Sequence, residues 1–410
     1  MNLHLNKSTI HKASTIQITG SKSESNRLLL LQALYPEIKI TNVSNSDDSV
    51  LMSKALASQD NIIDIHHAGT AMRFLTAYFS TQDGRYIELT GSKRMKERPI
   101  AILVDALNQL GAAISYKENQ GFPPLLIKGK KLTKNKVTLK ANVSSQYISA
   151  LLLIAPKLEN GIELTLDGEI TSVPYIKMTL SLLEEIGVKT KFEGNLITIA
   201  PKKQSEVNAQ QLTVESDWSS ASYFYSIAAM SAIGTSITLS SYKQNSLQGD
   251  SALATIYKSF GVTTTFKDNS VTLQKVEEVT LDTQINFDLK NAPDIAQTIS
   301  VTAFGLGLEC HLTGLHTLKI KETDRLVALK TEIEKLGGQV AITDNSLTLK
   351  KATNRQQNIT IGTYNDHRMA MAFAPLALKV PIIIEDSKVV SKSYPTFWDD
   401  LAALGFIFSV

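Results

Sequence analysis

Leu180-Ser-Leu-Leu-Glu-Glu-Ile-Gly187, continued by Val188-Lys-Thr-Lys-Phe-Glu-Gly-Asn-Leu-Ile-Thr-Ile199, carries three signals in one stretch. The aliphatic residues of the first part fall at helical spacing and predict an amphipathic helix. Gly187, just past the last apolar position, predicts its C-terminal cap, because glycine takes positive φ without steric cost. The run that follows predicts a short strand, a polar turn and a second strand. The same helix–Gly–strand unit recurs at 103–111, 253–261, 326–337 and 397–405. The five glycines lie 76, 74, 76 and 68 residues apart, and a shortened copy without the glycine falls near 50–59.

A second helix type alternates with the first and also occurs six times, at 25–34, 71–79, 145–155, 220–232, 295–306 and 368–378. These segments are rich in Ala, Leu, Ile and Ser and apolar on most sides, which predicts burial rather than a surface position. A strand follows each, so the pattern predicts an α/β protein in which sheets cover buried helices. A period of about 75 residues is too long for an ordinary solenoid, and six units in 410 residues fit two lobes of three. Coincidental βα alternation is the alternative, and the steady spacing argues against it.

Bulk properties exclude several classes. A length of 410 residues allows two or three domains with their own cores. The net charge of +3 provides no global basic field for nucleic acid or a membrane surface. No apolar run is long enough to span a membrane, and residues 1–14 lack the apolar core of a secretory signal. The single cysteine, Cys310, excludes an intrachain disulfide framework. A cytoplasmic protein that binds neither nucleic acid nor membrane is therefore expected, with a monomer as the default.

Polar or charged residues precede every apolar helix. In order these are Gly20-Ser-Lys-Ser-Glu-Ser-Asn-Arg27, Ala68-Gly-Thr-Ala-Met-Arg73, Ser144-Ser-Gln146, Glu215-Ser-Asp-Trp-Ser-Ser220, Asn291-Ala-Pro-Asp294 and Tyr364-Asn-Asp-His-Arg368. A helix N-terminus presents unpaired N–H groups and a partial positive charge, which suits an anion. Ser, Thr and Asp there are also ordinary N-caps; six such segments on repeated helices point instead to a shared anion site. Arginine usage agrees. The chain has eight Arg against thirty-four Lys, and Arg27, Arg73, Arg94, Arg98, Arg325 and Arg368 fall inside dense motifs. A guanidinium forks onto carboxylate or phosphate as a lysine cannot. Surface charge or salt bridging is the competing reading for Arg85, Arg94 and Arg355.

Apart from Glu215–Ser220, these motifs, together with Leu89-Thr-Gly-Ser-Lys-Arg-Met-Lys-Glu-Arg-Pro99, Ser172-Val-Pro-Tyr175, Gln248-Gly-Asp250, Lys321-Glu-Thr-Asp-Arg325 and Lys392-Ser-Tyr-Pro395, resemble the 5-enolpyruvylshikimate-3-phosphate synthase family, in order along nearly the whole chain. The resemblance implies a two-lobed inside-out α/β barrel, each lobe made of three βαβαββ units with buried helices. It places the crossovers near Gly20 and Val214, giving a discontinuous lobe of 1–20 plus 215–410, a continuous lobe of 21–214, and the active site in the cleft between them. It also implies transfer of the enolpyruvyl group of phosphoenolpyruvate to the 5-hydroxyl of shikimate 3-phosphate, without metal or other cofactor. Glyphosate, the herbicide directed at this family, would compete at Gly69.

Carried over by position, the resemblance assigns Lys22, Ser23, Arg27, Ser144, Ser145, Gln146, Ser172, Asp294 and Lys321 to shikimate 3-phosphate. It assigns Lys22, Gly69, Arg98, Gln146, Arg325, Arg368 and Lys392 to phosphoenolpyruvate. Asp294 is the candidate base on the hydroxyl, and Glu322 and Lys22 are candidates for moving the methylene proton. Three residues depart from the family pattern: His67 stands for Asn, Phe74 for Pro, and Thr317 for Asn. The related transferase acting on UDP-N-acetylglucosamine typically uses a loop cysteine. Here alternation in Leu308-Glu-Cys-His-Leu312 puts Cys310 on a buried strand face instead. His66 and His67 are expected in a strand, pointing to opposite faces, which disfavours a metal site. A non-enzymatic anion-binding module is the remaining alternative.

Overall fold

Gly111, Gly187, Gly261, Gly337 and Gly405 all adopt left-handed backbone, with φ between 72° and 110°. Each follows a helical segment: Ala101–Gln109, Val173–Glu185, Leu253–Ile256 extended by the 3-10 turn Tyr257–Phe260, Arg325–Lys335 and Phe397–Leu404. The shortened copy is Asp47–Ala57, which ends at Ser58 in extended conformation. It leads directly into the next strand, Ile62–Asp64, with no hairpin, so nothing there requires a left-handed cap. The computed structural model describes residues 2–141, 144–168, 170 and 173–409.

The chain divides into two compact units, Met1–Thr19 with Glu215–Val410, and Gly20–Val214. Each has its own apolar core. The buried helices of the second unit are Lys22–Leu34, Gly69–Ser80 and Ser145–Ile154; those of the first are Trp218–Met230, Ala296–Leu306 and His367–Phe373. Every residue of Gly69–Ser80 is buried, Arg73 included. Burial of nearly every side chain explains why these helices lack a solvent-facing polar side, and why polar residues such as Glu24, Asn26 and Arg27 lie buried with the apolar ones.

Five four-stranded sheets share one plan. Two parallel strands flank a buried helix, and an antiparallel hairpin completes the sheet, as in Gln284–Asp288, Glu309–Thr313, Leu347–Leu349 and Val340–Ile342. In another, Leu3–Leu5 pairs antiparallel with Ile382–Ile384 and Phe408–Ser409, so strands from opposite ends of the sequence take the hairpin's place. The sixth sheet has two strands, Ile38–Thr41 parallel to Gln210–Thr213. It pairs the last strand of the second unit with the strand that follows the unit's first helix. Asn42 Nδ2 donates to the Val214 carbonyl at 2.9 Å. Gly20 lies so close that an added Cβ would stand 2.6 Å from Val214 Cγ1. None of the sheets closes on itself among the described residues.

One local expectation is corrected. His66 and His67 lie past the strand Ile62–Asp64, in a turn where His66 has φ 46°. Asp64 and Asp47 lie 4.0 and 3.5 Å from their ring nitrogens. Alternation cannot extend through a residue whose backbone has left the extended region. Among the described residues no helix is long and apolar enough to cross a membrane.

Candidate active site

In the unit containing Glu215–Val410, chemistry concentrates around Arg325. Asp324 caps the helix Arg325–Lys335 by accepting from the N–H groups of Leu326 and Val327 at 3.1 and 3.2 Å. That cap aims Arg325 inward, where 2% of its side chain remains exposed. Its Nη1 donates to Asp294 Oδ1 at 2.8 Å, its Nη2 to Glu322 Oε2 at 2.8 Å, and its Nε to Asp366 Oδ2 at 2.6 Å. Asp294 gathers two further cations. Lys321 Nζ lies 3.3 Å from its Oδ1, and Arg368 Nη2 lies 3.4 Å from its Oδ2.

Burial works to raise the Asp294 pKa, but Lys321, Arg368 and Arg325 outweigh it and hold the carboxyl well below the usual range. Burial opposes the Arg368 charge as well; Asp294 first, then Tyr223 and Asp250, hold its guanidinium well above the ordinary value. Arg368 Nη2 also donates to Ser219 Oγ at 3.1 Å, and Ser219 Oγ donates to Asp250. Burial pushes the Asp250 carboxyl up to about 6; Arg368 and Ser219 act against the rise, and nearby Asp294 and Asp217 add to it. Lys392 Nζ donates to the Asn365 carbonyl at 2.6 Å.

Two clusters occupy Gly20–Val214. In one, Arg27 is buried and donates to three neutral oxygens: Thr179 Oγ1 at 2.8 Å, Ser149 Oγ at 2.8 Å and the Ser23 carbonyl at 2.7 Å. Phe74 and Tyr175 face its guanidinium at 5.5 and 5.9 Å. Burial lowers its pKa to about 10, with Tyr175 and Glu24 opposing. Lys22 and Ser23 begin the same helix one turn earlier, with their side chains partly exposed. In the other cluster, Arg98 packs on Gly69, whose missing Cβ would stand 2.5 Å from Arg98 Nη1. Gln146 Nε2 donates to Thr70 Oγ1 at 3.3 Å. Ser144 caps the helix that begins at Ser145, accepting from the Gln146 N–H at 3.4 Å. Ser172 lies outside the described residues.

Asp294, Lys321, Glu322, Arg325 and Arg368 thus converge, as do Gly69, Arg98 and Gln146. Pattern reading passed over Asp366, Ser219 and Asp250 as functional residues, and Arg73 as a scaffold. Arg73 Nη1 donates to the Gly69 carbonyl at 3.0 Å and its Nη2 to the Pro99 carbonyl at 3.4 Å, tying together the segments that carry Gly69 and Arg98. A carboxylate at an N-cap beside an arginine was the available signal for Asp366. Arg94 pairs with Glu97 on the surface, Arg85 binds the carbonyls of Ser58 and Asp60, and Arg355 binds the Phe304 carbonyl. Cys310 is fully buried in its strand, and burial raises its thiol pKa.

Comparison with known proteins places the chain. The family model for EPSP synthase (3-phosphoshikimate 1-carboxyvinyltransferase) matches residues 52–401. A 3-phosphoshikimate 1-carboxyvinyltransferase from Bacteroides fragilis is 47% identical over 398 residues, covering 96% of this chain and 95% of that protein. One from Haemophilus influenzae is 37% identical over 417 residues, covering 94% and 95%. The solved structure of an EPSP synthase from Acinetobacter baumannii superposes with a TM-score of 0.82 at 20% identity, covering 100% of this chain and 99% of that one, which establishes the fold.

Proposed function

We infer that this chain, which belongs to the EPSP synthase family, transfers the enolpyruvyl group of phosphoenolpyruvate to the 5-hydroxyl of shikimate 3-phosphate and releases phosphate, a step toward chorismate and the aromatic amino acids. The observation that carries the reading is the convergence of Lys321, Arg325 and Arg368 on the Asp294 carboxylate, within the region the family model matches. The hydroxyl oxygen adds to C2 of phosphoenolpyruvate as its proton leaves and C3 gains one, giving a tetrahedral ketal phosphate with a methyl group. Phosphate then departs while the methyl group returns a proton, restoring the double bond.

Asp294 is the proposed base on the hydroxyl. Three cations make it a weak one at rest. Substrate phosphate and carboxylate, by drawing Arg368 and Lys321 to themselves, would raise its basicity when the hydroxyl is present. Glu322 and Lys22 are the proposed carriers of the methylene proton. Within Gly20–Val214, Lys22, Ser23, Arg27, Ser144, Ser145, Gln146 and Ser172 are proposed to hold shikimate 3-phosphate, with Gly69, Arg98, Gln146 and Lys22 serving phosphoenolpyruvate. Within Glu215–Val410, Asp294 and Lys321 serve the former, and Arg325, Arg368 and Lys392 the latter. The cations would also stabilise charge on the departing phosphate. We further propose that the sheets surround the helices of each unit as an inside-out barrel, and that the protein acts as a cytoplasmic monomer.

The test is phosphate release from phosphoenolpyruvate with shikimate 3-phosphate or UDP-N-acetylglucosamine as acceptor. Turnover is expected with the first alone. Turnover only with the second, or with neither, overturns the assignment.

A further inference from the structure

A buried carboxylate lies two helical turns beyond Arg325, outside the reacting cluster. Glu332 is fully buried on the helix Arg325–Lys335, seven residues on from Arg325 and hence on the same face. It accepts from Lys335 Nζ at 2.9 and 2.8 Å and from the Tyr364 hydroxyl at 2.5 Å. Tyr364 and Asn365 are consecutive non-glycine residues in the left-handed region, with φ of 54° and 56°. Asn tolerates that region; a bulky aromatic residue reaches it only at a steric cost, which something nearby must offset. Gly362 leaves room for the contact, since a Cβ there would stand 3.1 Å from Glu332 Oε1 and 3.3 Å from the Tyr364 ring.

The turn so held carries functional groups. The Asn365 carbonyl accepts from Lys392 Nζ at 2.6 Å. Asp366 accepts from Arg325 Nε at 2.6 Å and from the Arg368 backbone N–H at 2.9 Å. One helix therefore grips the turn twice, at Asp366 through Arg325 and at Tyr364 through Glu332.

We propose that Glu332 and Tyr364 are positioning residues for the phosphoenolpyruvate-side cations: their hydrogen bond holds the left-handed pair Tyr364 and Asn365, and that pair sets the placement of Lys392, Asp366 and Arg368. The proposal rests on the assignment of Arg368 and Lys392 to phosphoenolpyruvate made above. A merely structural pair would lower stability and leave substrate discrimination alone.

The full chain carrying Tyr364→Phe keeps the ring and loses the hydroxyl. Its Michaelis constant for phosphoenolpyruvate should rise roughly three- to tenfold, the scale of one hydrogen bond, while that for shikimate 3-phosphate stays within error. Backbone amides 364–367 should exchange faster. Tyr364→Gly and Tyr364→Ala provide a second comparison. Both lose the ring, but glycine takes left-handed φ freely. The glycine variant should therefore keep the lower Michaelis constant for phosphoenolpyruvate, the reverse of the order that lost packing predicts. An unchanged Michaelis constant for phosphoenolpyruvate in Tyr364→Phe overturns the proposal whatever the exchange does, as does an alanine variant equal to or better than the glycine one. A wild-type protein inactive on both substrates would strike at the assigned reaction instead. Amide exchange in Tyr364→Phe then tests the turn itself: unchanged exchange removes the proposal, and faster exchange keeps only its premise that the hydrogen bond holds the turn.

Discussion

Arg325 donates from Nε to Asp366 Oδ2 at 2.6 Å while the two side chains are 2% and 0% exposed. Asp294 and Glu322 share the same guanidinium, so one cation answers three carboxylates. Removing half of a buried pair leaves the other half charged and unsolvated. Arg325→Lys supplies one compact ammonium for a forked contact and cannot reach all three acceptors. It should lose about 1.5–3 kcal/mol of unfolding free energy, read from urea titration, together with most of the turnover. A urea midpoint equal to wild type would mean the cluster is looser than its geometry indicates.

Asp250 predicts an opposite trend with pH. Its folded pKa is raised from 3.8 to about 6, so between those values the folded protein holds a proton that the unfolded chain has released. Its contribution to stability therefore falls as pH rises from about 4 to about 6. Asp294, held low, contributes stability above its unfolded pKa and loses it as pH falls through the folded one. Asp250→Asn should remove the first component: the difference in unfolding free energy between variant and wild type should grow in the variant's favour from pH 4 to 6. A constant difference would show that Asp250 does not titrate there.

Arg98→Lys and Arg368→Lys test the phosphoenolpyruvate assignment. Loss of a charge-assisted forked contact costs about 1.5–3 kcal/mol, a rise of roughly ten- to a hundredfold in the Michaelis constant for phosphoenolpyruvate. The constant for shikimate 3-phosphate should move far less. Equal shifts for both substrates would remove these arginines from the phosphoenolpyruvate site.

Glyphosate should inhibit competitively with phosphoenolpyruvate, and Gly69→Ala should weaken that inhibition. The added methyl would meet Arg98 Nη1 at 2.5 Å, a distance that forces the guanidinium to move. Because that arginine is also assigned to phosphoenolpyruvate, the variant's Michaelis constant should rise too, by less than its inhibition constant. Paired constants for wild type and variant decide the matter. Indifference of the wild type to millimolar glyphosate would show that the surroundings of Gly69, His67 and Phe74 among them, form a pocket that does not admit it.

The repeated helices were legible because burial and capping are local. Gly187 sits at the end of an apolar pattern, and Phe74 in a segment without a polar face. The missing cap near residue 58 could be counted but not explained until the absent hairpin was seen. The partners of the arginines could not be read, since sequence spacing does not say which carboxylate turns toward which guanidinium. Asp366 is forty-one positions from Arg325 and meets it only through packing of separate helices. Asp250 was visible as a Gln-Gly-Asp motif, but its raised pKa depends on burial beside Asp294 and Asp217. The His66 turn lies beyond what alternation can read, because one positive φ ends a pattern that composition alone would continue.

The pairing of Ile38–Thr41 with Gln210–Thr213 bears on the order of events during synthesis. Ala13–Ile16 belongs beside Ser236–Ser240, across the whole of the unit between them. Bringing distant chain positions together costs entropy that grows with the length of the open loop. Once Gly20–Val214 has folded with its two ends side by side, that loop shrinks to the narrow gap between them. Residues 13–16 and 236–240 then meet as near neighbours. Leu3–Leu5 waits longer still, for Ile382–Ile384 and Phe408–Ser409. Leu3–Leu5 thus remains without its sheet until residues 382–409 have been made, and its backbone groups stay unpaired over that interval.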